Sequence, residues 1–401
     1  MTPIKIVILG AGYAGLTAAI KLQKKNLSDQ FEITLINRHQ YHYQTIWLHR
    51  NAVGVHTTEK TIFDLKKLLN PEKVQLVTEA VIAIEKKAQV IKTENGNYSY
   101  DYLIMGLGSQ IDSFQIPGLN EHAYSITTLA NSSQLYGRLI ATLDRYRQTD
   151  MKKKLQIIVG GGGFTGVELL GELTEELPVM CQEMGIDYQK IHLLAIEHES
   201  TVLPEFDLEL GEYAMQQLEA RNVEFRLRTN IKSLSDKRIK IEQSGLVEEL
   251  PVDLFIWTAG VKGNHLIEQA SFPNKLGRIE VEKDLTVPGH RNVMAIGDIA
   301  LVRDDRGKPY LPNADISIQQ ANVAVKNLLV KIMKKGEPVP FRFKNRGTVA
   351  SIGATDAIGV TGKGKRIFGK RATILKKWVD YRFLFEIGGF KLLWLHIKKA
   401  K

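Results

Sequence analysis

Two glycine turns, Gly10-x-Gly12-x-x-Gly15 and Gly161-x-Gly163-x-x-Gly166, carry the most specific chemistry in this chain. At that spacing the first glycine makes a tight turn, the second lets backbone approach a pyrophosphate, and the third lets a helix pack onto its strand. The phosphates then rest at the helix N-terminus, where free amides and the helix dipole favour anions. A single match is a common glycine-rich turn, but two matches, each between a strand pattern and a helix pattern, point to two dinucleotide sites. The residue that ends the next strand should hold a ribose hydroxyl. In the second unit it is Glu197, followed by His198 and Glu199, with no arginine adjacent in sequence. That arrangement favours NADH over NADPH. In the first unit it is Asn37, a neutral amide that can still contact a ribose.

Glu168 stands two residues beyond Gly166, early in the helix that the second turn opens. Two readings compete: a group that handles protons, or a helix-end acid favoured by the dipole, sharing one solvated face with Glu172 and Glu175. Asp298 follows Gly297 after the apolar run NVMAI. By itself that pair is an ordinary turn, and its weight comes from following two dinucleotide turns.

The elements that must position these groups follow from periodicity. IKIVILGAGYAGLTAAIKLQKK reads as strand, turn and amphipathic helix, and EITLINR (32 to 38) as the second strand of a βαβ unit. The grammar returns in LQIIVGGGGFTGVELLGEL and KIHLLAIE. YDYLIMGLGSQ, DLFIWTAGVKG and NVMAIGDIA read as further strands ending in turns, and a helix is predicted from about Ile316 to Lys334. From RGTVASIGATDAIGV onward come shorter strands and then a basic, aromatic tail.

The chain has 401 residues, room for two or three domains. Its single cysteine, Cys181, excludes an internal disulfide, a thiolate metal cluster and a dithiol redox centre, and suits a reducing compartment. MTPIKIVILG runs straight into a strand pattern, so no signal segment is expected. No apolar run reaches the ~18 residues of a spanning helix. The net charge of +10 is localised: residues 362 to 401 hold twelve Lys or Arg against Asp380 and Glu386, which leaves 42 bases and 42 acids in the rest.

The order GAGYAG, GGGGFTGVE and AIGDIA resembles the two-dinucleotide-binding flavoproteins. The finer wording, YHYQTIWLH (41 to 49), GFTGVELLGEL (163 to 173) and RGTVASIG (346 to 353), resembles the type II NADH dehydrogenases along essentially the whole chain. These are non-proton-pumping NADH:quinone oxidoreductases attached to the inner face of the bacterial membrane.

The resemblance implies an α/β fold of two Rossmann-like dinucleotide-binding domains, glutathione-reductase-like, with a C-terminal membrane-association region. It implies a discontinuous FAD-binding domain (1–115 and 275–335), an NADH-binding domain (116–274) and the C-terminal region (336–401). Non-covalent FAD is expected at Gly10, Ala11, Gly12, Tyr13, Ala14, Gly15, Asn37, Arg38, Val81, Gly108, Asp298, Ala314 and Asp315. NADH is expected at Gly161, Gly163, Thr165, Gly166, Glu197, Ala259 and Gly260. Glu168 becomes the candidate catalytic residue, relaying protons to a membrane quinone (menaquinone or ubiquinone), with Asp315, Gln319 and Lys376 at the quinone site. The chain departs from the family in LPNADISIQQ: the usual Ala-Gln-x-Ala-x-Gln is Ala314, Asp315, Ser317 and Gln319. An acid donates a hydrogen bond to a carbonyl only when protonated, whereas an amide always can. The competing reading has Asp315 and Ser317 simply opening a helix, and Lys376 as one surface cation among many.

In the tail, Ile374, Trp378, Tyr381 and Phe385 fall on one helical stripe with Lys376, Lys377 and Asp380 between them, and Gly388-Gly389 breaks the pattern before FKLLWLHIKK. Aromatic residues beside lysines suit an anionic membrane surface, where each basic residue contributes about 1 kcal/mol. A core helix with a charged outer face, or a homodimer contact, is the competing reading. Nucleic acid is disfavoured by the large apolar residues. Two other functions remain open to the same body: a soluble reductase of a small iron–sulfur protein, and a non-catalytic flavin and nicotinamide redox sensor.

Overall fold

The computed structural model describes residues 3–26 and 30–399. β1 (Ile4–Leu9), α1 (Tyr13–Lys25) and β2 (Phe31–Asn37) form the first βαβ unit. Their apolar runs lie in a six-stranded sheet with the spatial order Thr286–Val287, His290–Ala295, Tyr102–Met105, β1, β2 and Val74–Thr78. All pairings are parallel except at the Thr286–Val287 edge. Ile6 and Ile8 of β1 register with Ile33 and Leu35 of β2, and all four are buried, as parallel strands covered on both faces require.

The second unit repeats the arrangement. β3 (Leu155–Gly160), α2 (Phe164–Met184) and β4 (Ile191–Ile196) lie in a five-stranded, wholly parallel sheet. Its order is Tyr124–Ser125, Leu254–Trp257, β3, β4 and Val223–Arg226. Each sheet has its own buried core. α3 (Ala314–Met333), two residues from its expected start, packs along α1. After it, β5 (Gly347–Ser351), β6 (Ala357–Thr361) and Arg366–Phe368 make a small antiparallel sheet on which the C-terminal helix α4 (Gly369–Lys399) lies. α4 bends at Gly389, where φ is 61° and ψ −160°, a conformation essentially confined to glycine. Among the described residues no helix is long and apolar enough to cross a membrane.

Both glycine turns have the same internal geometry. A Cβ on Gly15 would sit 1.9 Å from the Gly10 carbonyl oxygen, and one on Gly166 would sit 1.9 Å from that of Gly161. The third glycine of each turn is therefore fixed by contact with the first. Gly163, by contrast, has φ −73°, and a Cβ added there would meet nothing within 4 Å. Gly166→Ala is expected to cost about 1–3 kcal/mol and lower the Tm by several degrees, while Gly163→Ala should stay within about 0.5 kcal/mol of wild type. Thermal melts of the two variants check this.

Candidate functional site

Neither turn has a side chain capping its helix. Gly12 and Gly163 are the N-caps of α1 and α2, and no side-chain hydrogen bond closes either N-terminus. The helix preceding β3, by comparison, is capped by Thr128, and α3 by Asn313. Open amides beside second glycines that leave free space are what a pyrophosphate needs, so both turns fit a dinucleotide.

Around the first turn, Asn37 Oδ1 accepts from Ala11 N at 2.9 Å, so the amide braces the turn as well as facing it. Asn37 pairs with Thr78 across the sheet, which brings Val81, three residues on, to the same edge. Arg38 is exposed. Ala11 O is met by His42 Nδ1 at 2.8 Å, and the Tyr13 hydroxyl donates to Gln44 Oε1 at 2.6 Å. Gly108, at φ +71°, leads to Ser109, whose hydroxyl donates to Asp298 Oδ2 at 2.7 Å. Burial raises the Asp298 pKa, against the hydrogen bond from Ser109 and the charge of Arg278. Ala14 lies next to Gly297, its Cβ 3.2 Å from where a Cβ on that glycine would be. The turn residues, Gly108 and Asp298 thus converge, and His42 and Gln44 from YHYQTIWLH, Ser109 and Arg278 join them.

Around the second turn, Glu197 accepts from Gly162 N through one carboxylate oxygen and from Glu199 N, at 2.7 Å, through the other. Each oxygen keeps a further lone pair for a ribose hydroxyl. Ala259 abuts Gly161, and Gly260 takes φ +73°; Thr165 is exposed at the start of α2. Arg226, distant in sequence, adjoins Glu197 in the sheet, the Glu197 N–H donating to its carbonyl at 2.9 Å. Its guanidinium, however, is turned to Glu224 (2.8 Å) and Glu248 (3.9 Å).

The largest departure from the sequence expectation is at Glu168. It sits in the second turn of α2, and neither it nor Glu172 is on a solvated face: they are 7% and 2% exposed. Only Glu175 of the three is half-buried. The reason is that α4 covers them. Lys376 is likewise no surface cation; it is 8% exposed, with its Nζ 2.9 Å from Glu168 Oε1 and 3.8 Å from Asp380. Ser351 at the end of β5 donates to the same oxygen from both its N–H and its hydroxyl, each at 3.1 Å. Gly171 allows this approach, because a Cβ there would lie 2.3 Å from Gly353 N. Burial pushes the Glu168 carboxyl upward, but Lys376, His49 and Ser351 outweigh it and hold the pKa at about 2. Lys376 is raised for the matching reason, Glu168 and Asp380 exceeding its desolvation.

Three further groups, missed in sequence, complete this cluster. His49 and Arg50, from the short helix Leu48–Asn51, face it; His49 Nδ1 lies 3.6 Å from Glu168 and its Nε2 3.6 Å from Glu172. Arg50 lies 3.3 Å from Glu172 and 3.7 Å from Asp380. Trp47 Nε1 donates to Asp380 at 3.1 Å. The signal that could have found them is YHYQTIWLHR itself, a polar and aromatic run too dense in histidine for a loop.

Asp315 does open a helix, but as its second residue; Asn313 is the cap, accepting from Ile316 N. The Asp315 carboxylate is held by Arg382 of α4 and lies 3.7 Å from Arg346. Gln319 donates through Nε2 to Asp315 Oδ2 and to Lys344 O, both at 3.0 Å, and accepts from Lys344 N at 3.0 Å. Both hydrogens of its amide are already committed. The Ser317 hydroxyl donates to Asn313 O and stays within the helix. Cys181 is buried and free, and no group of three or more His, Cys, Asp or Glu that could hold a metal occurs among the described residues.

A fold of two Rossmann units with a nucleotide turn at each is that of the pyridine nucleotide-disulphide oxidoreductases, whose family model matches residues 4–327. The lone buried cysteine sets this chain apart from the members that work through a disulphide. Within that class the likeness narrows to enzymes named type II NADH:quinone oxidoreductase. One from Staphylococcus epidermidis is 38% identical, covering 99% of this chain and 98% of its own. Another, from Staphylococcus aureus, is 37% identical over the same shares. The solved structure of NDH2 from Plasmodium falciparum in complex with NADH superposes with a TM-score of 0.89 at 18% identity, covering 99% and 98% of the two chains. The chain belongs to the type II NADH:quinone oxidoreductase family.

Removing one partner of the buried pair exposes the energetics. Lys376→Met is expected to cost about 3–5 kcal/mol by stranding the Glu168 charge, and Lys376→Met with Glu168→Gln should recover much of that loss in a double-mutant cycle read by denaturant melts. Glu172 supplies a pH signature. Burial, against Arg50, pushes its carboxyl from 4.5 to about 7. The folded state thus binds a proton that the unfolded state releases, a contribution full below pH 4.5 and lost as pH rises through about 7. Glu172→Gln should flatten that part of the stability profile relative to wild type.

Proposed function

We infer that this protein oxidises NADH and reduces a quinone, with FAD bound at the first glycine turn, NADH at the second, and the quinone beside Glu168 and Lys376. The observation that carries the reading is the pair of matched, uncapped turns feeding one buried Glu168–Lys376 pair, in a chain of this family. A bound flavin would supply the redox chemistry, taking two electrons from the nicotinamide and releasing them to the quinone. The residues of the chain do the rest. We assign residues 1–115 and 275–335 to FAD, 116–274 to NADH and 336–401 to the membrane side.

At the first site the amides of Gly12 and Tyr13 receive the pyrophosphate, with Ala11 N held by Asn37; Asn37 faces the adenosine ribose and Asp298, steadied by Ser109, faces the ribityl chain. At the second, Gly163 gives the nicotinamide nucleotide room and Glu197 takes its ribose hydroxyl. Arg226, tied to two glutamates, leaves a 2′-phosphate without its counter-charge. Lys376 donates toward a quinone oxygen, and Glu168 keeps that ammonium charged and near. Gln319, with both amide hydrogens used, shapes the pocket wall. Asp315 acts through Arg382, the guanidinium it orients.

α4 supports membrane attachment. Its outward face shows Ile374, Trp378 and Phe385, then Phe390, Trp394 and Ile397 past the bend, all exposed. The stripe thus turns away from the body except at Tyr381, which is half-buried against the Trp47, Phe63 and Leu384 cluster; of the polar residues between, Lys376 and Asp380 face inward and Lys377 is exposed. Aromatic residues with flanking lysines suit the anionic cytoplasmic face of a membrane, and a homodimer through the same region is compatible with it.

Steady-state assays with NADH or NADPH and menadione test the reading. NADH should be preferred at least about tenfold, and Gly163→Ala should raise the KM for NADH while leaving stability unchanged. Equal use of NADPH would remove Glu197 from its role, and flavin reduced by NADH but never reoxidised by quinone would remove the quinone. Sedimentation with anionic vesicles should carry the protein down at low salt, and Trp378→Ser with Trp394→Ser should weaken that.

A further inference from the structure

Among the described residues, Glu168, Glu172 and Asp380 face two fixed cations, Lys376 and Arg50, inside one buried cluster. Three carboxyls thus share two cations, burial raises both Glu172 and Asp380, and an ionised carboxylate in excess of its counter-charges is costly to bury. His49 stands between two of them, its Nδ1 toward Glu168 and its Nε2 toward Glu172, both at 3.6 Å. It is 3% exposed, and its Nε2 makes no hydrogen bond.

The tautomer choice is restrictive. A neutral imidazole has one N–H donor and one bare nitrogen. Glu168, ionised against Lys376, can only accept, so Nδ1 carries the hydrogen. Nε2 is then an acceptor, and Glu172 suits it only as a protonated carboxyl. We propose that Glu172 and His49 form a proton relay into the quinone site, with Glu172 storing the proton and His49 passing it to Glu168. This rests on the NADH:quinone reading above.

The reaction balances with one such proton. NADH, a quinone and one proton give NAD⁺ and quinol; the electron pair and one hydrogen originate from NADH, and the second proton must come from solvent. In the relay the Glu172 O–H bond breaks as an Nε2–H bond forms on His49. The Nδ1–H bond then breaks as a proton reaches Glu168, which delivers it to the reduced quinone oxygen, directly or through Lys376. The transfer leaves the ring hydrogen on Nε2; a water takes that proton from Nε2 as another gives one to Nδ1, which restores the first tautomer, and Glu172 is reprotonated from solvent on the side of Arg50, the most exposed member of the cluster at 18%. The 3.6 Å gaps on the two sides of the ring require a small swing of the ring or an intervening water in each direction.

The groups facing Glu172 agree with storage near neutrality. His49 and Arg50 face it from the Leu48–Asn51 helix, Glu168 and Glu175 flank it on its own helix, and Lys376 and Asp380 stand beyond on α4. Burial, opposed by Arg50 and supported by Glu175 and Glu168, holds its carboxyl at about 7. Burial also keeps His49 neutral, at about 3.

Two measurements on the FAD-loaded enzyme test the relay. Infrared spectra of the unmodified protein titrated through neutrality should show one protonated carboxyl band disappearing between about pH 6 and 8, absent in Glu172→Gln. Reoxidation of the pre-reduced enzyme by menadione, followed by stopped flow from about pH 5 to 9, should slow above neutrality. In Glu172→Gln and His49→Gln it should be at least about tenfold slower at neutral pH and lose that dependence, with Glu172→Asp restoring part of both. A wild-type rate and pH profile in Glu172→Gln, or no carboxyl titrating near neutrality in the unmodified protein, would overturn the relay while leaving quinone reduction intact. Failure of menadione to reoxidise the unmodified enzyme overturns it differently, by removing the acceptor and the underlying reading together.

Discussion

The Glu168–Lys376 ion pair is the contact on which the arrangement of this molecule turns. It joins the second nucleotide helix to the C-terminal helix, two segments more than 200 residues apart in the chain, at 2.9 Å and out of water. Neither charge could be buried alone. Ser351 completes the pair from the small antiparallel sheet, so three parts of the chain meet at one carboxylate. A helix that could have been a detachable anchor is thereby made a wall of the site.

This constraint explains the orientation of α4. With Lys376 and Asp380 fixed inward, helical geometry leaves Ile374 and Trp378 facing out. The inward side joins these charged groups to buried apolar residues, Ala372, Phe383 and Leu384, while the exposed side carries aromatic residues beside Lys377. A second ionic contact, Asp315 with Arg382, repeats the tie further along the same helix. The buried charges and the exposed aromatic residues are consequences of one placement.

Much of the fold was legible because its signals are local. The strand, glycine turn and helix of each unit obey spacing rules set by steric contact, and Gly15 and Gly166 occupy identical positions against Gly10 and Gly161. Asn37 ends the strand that the pattern assigned to it, and Glu197 directly follows its own. The burial of Glu168 and Glu172 was not legible, since an acid on a helix looks the same whether water or another helix lies over it. The partners of His49, Arg50 and Asp380 were hidden for the same reason: each gains its meaning from groups far along the chain. Gln319 shows the converse, a residue placed at the expected site whose amide is spent on the Lys344 backbone.

If the Glu168–Lys376 pair marks where the quinone is reduced, a bound quinone must touch it. A crystal structure of the FAD-loaded enzyme with a tightly bound quinone analogue tests this most directly. The expected result is a carbonyl oxygen within hydrogen-bonding distance of Lys376 Nζ or the Glu168 carboxyl. An analogue bound elsewhere, with that pair intact and untouched, would contradict it.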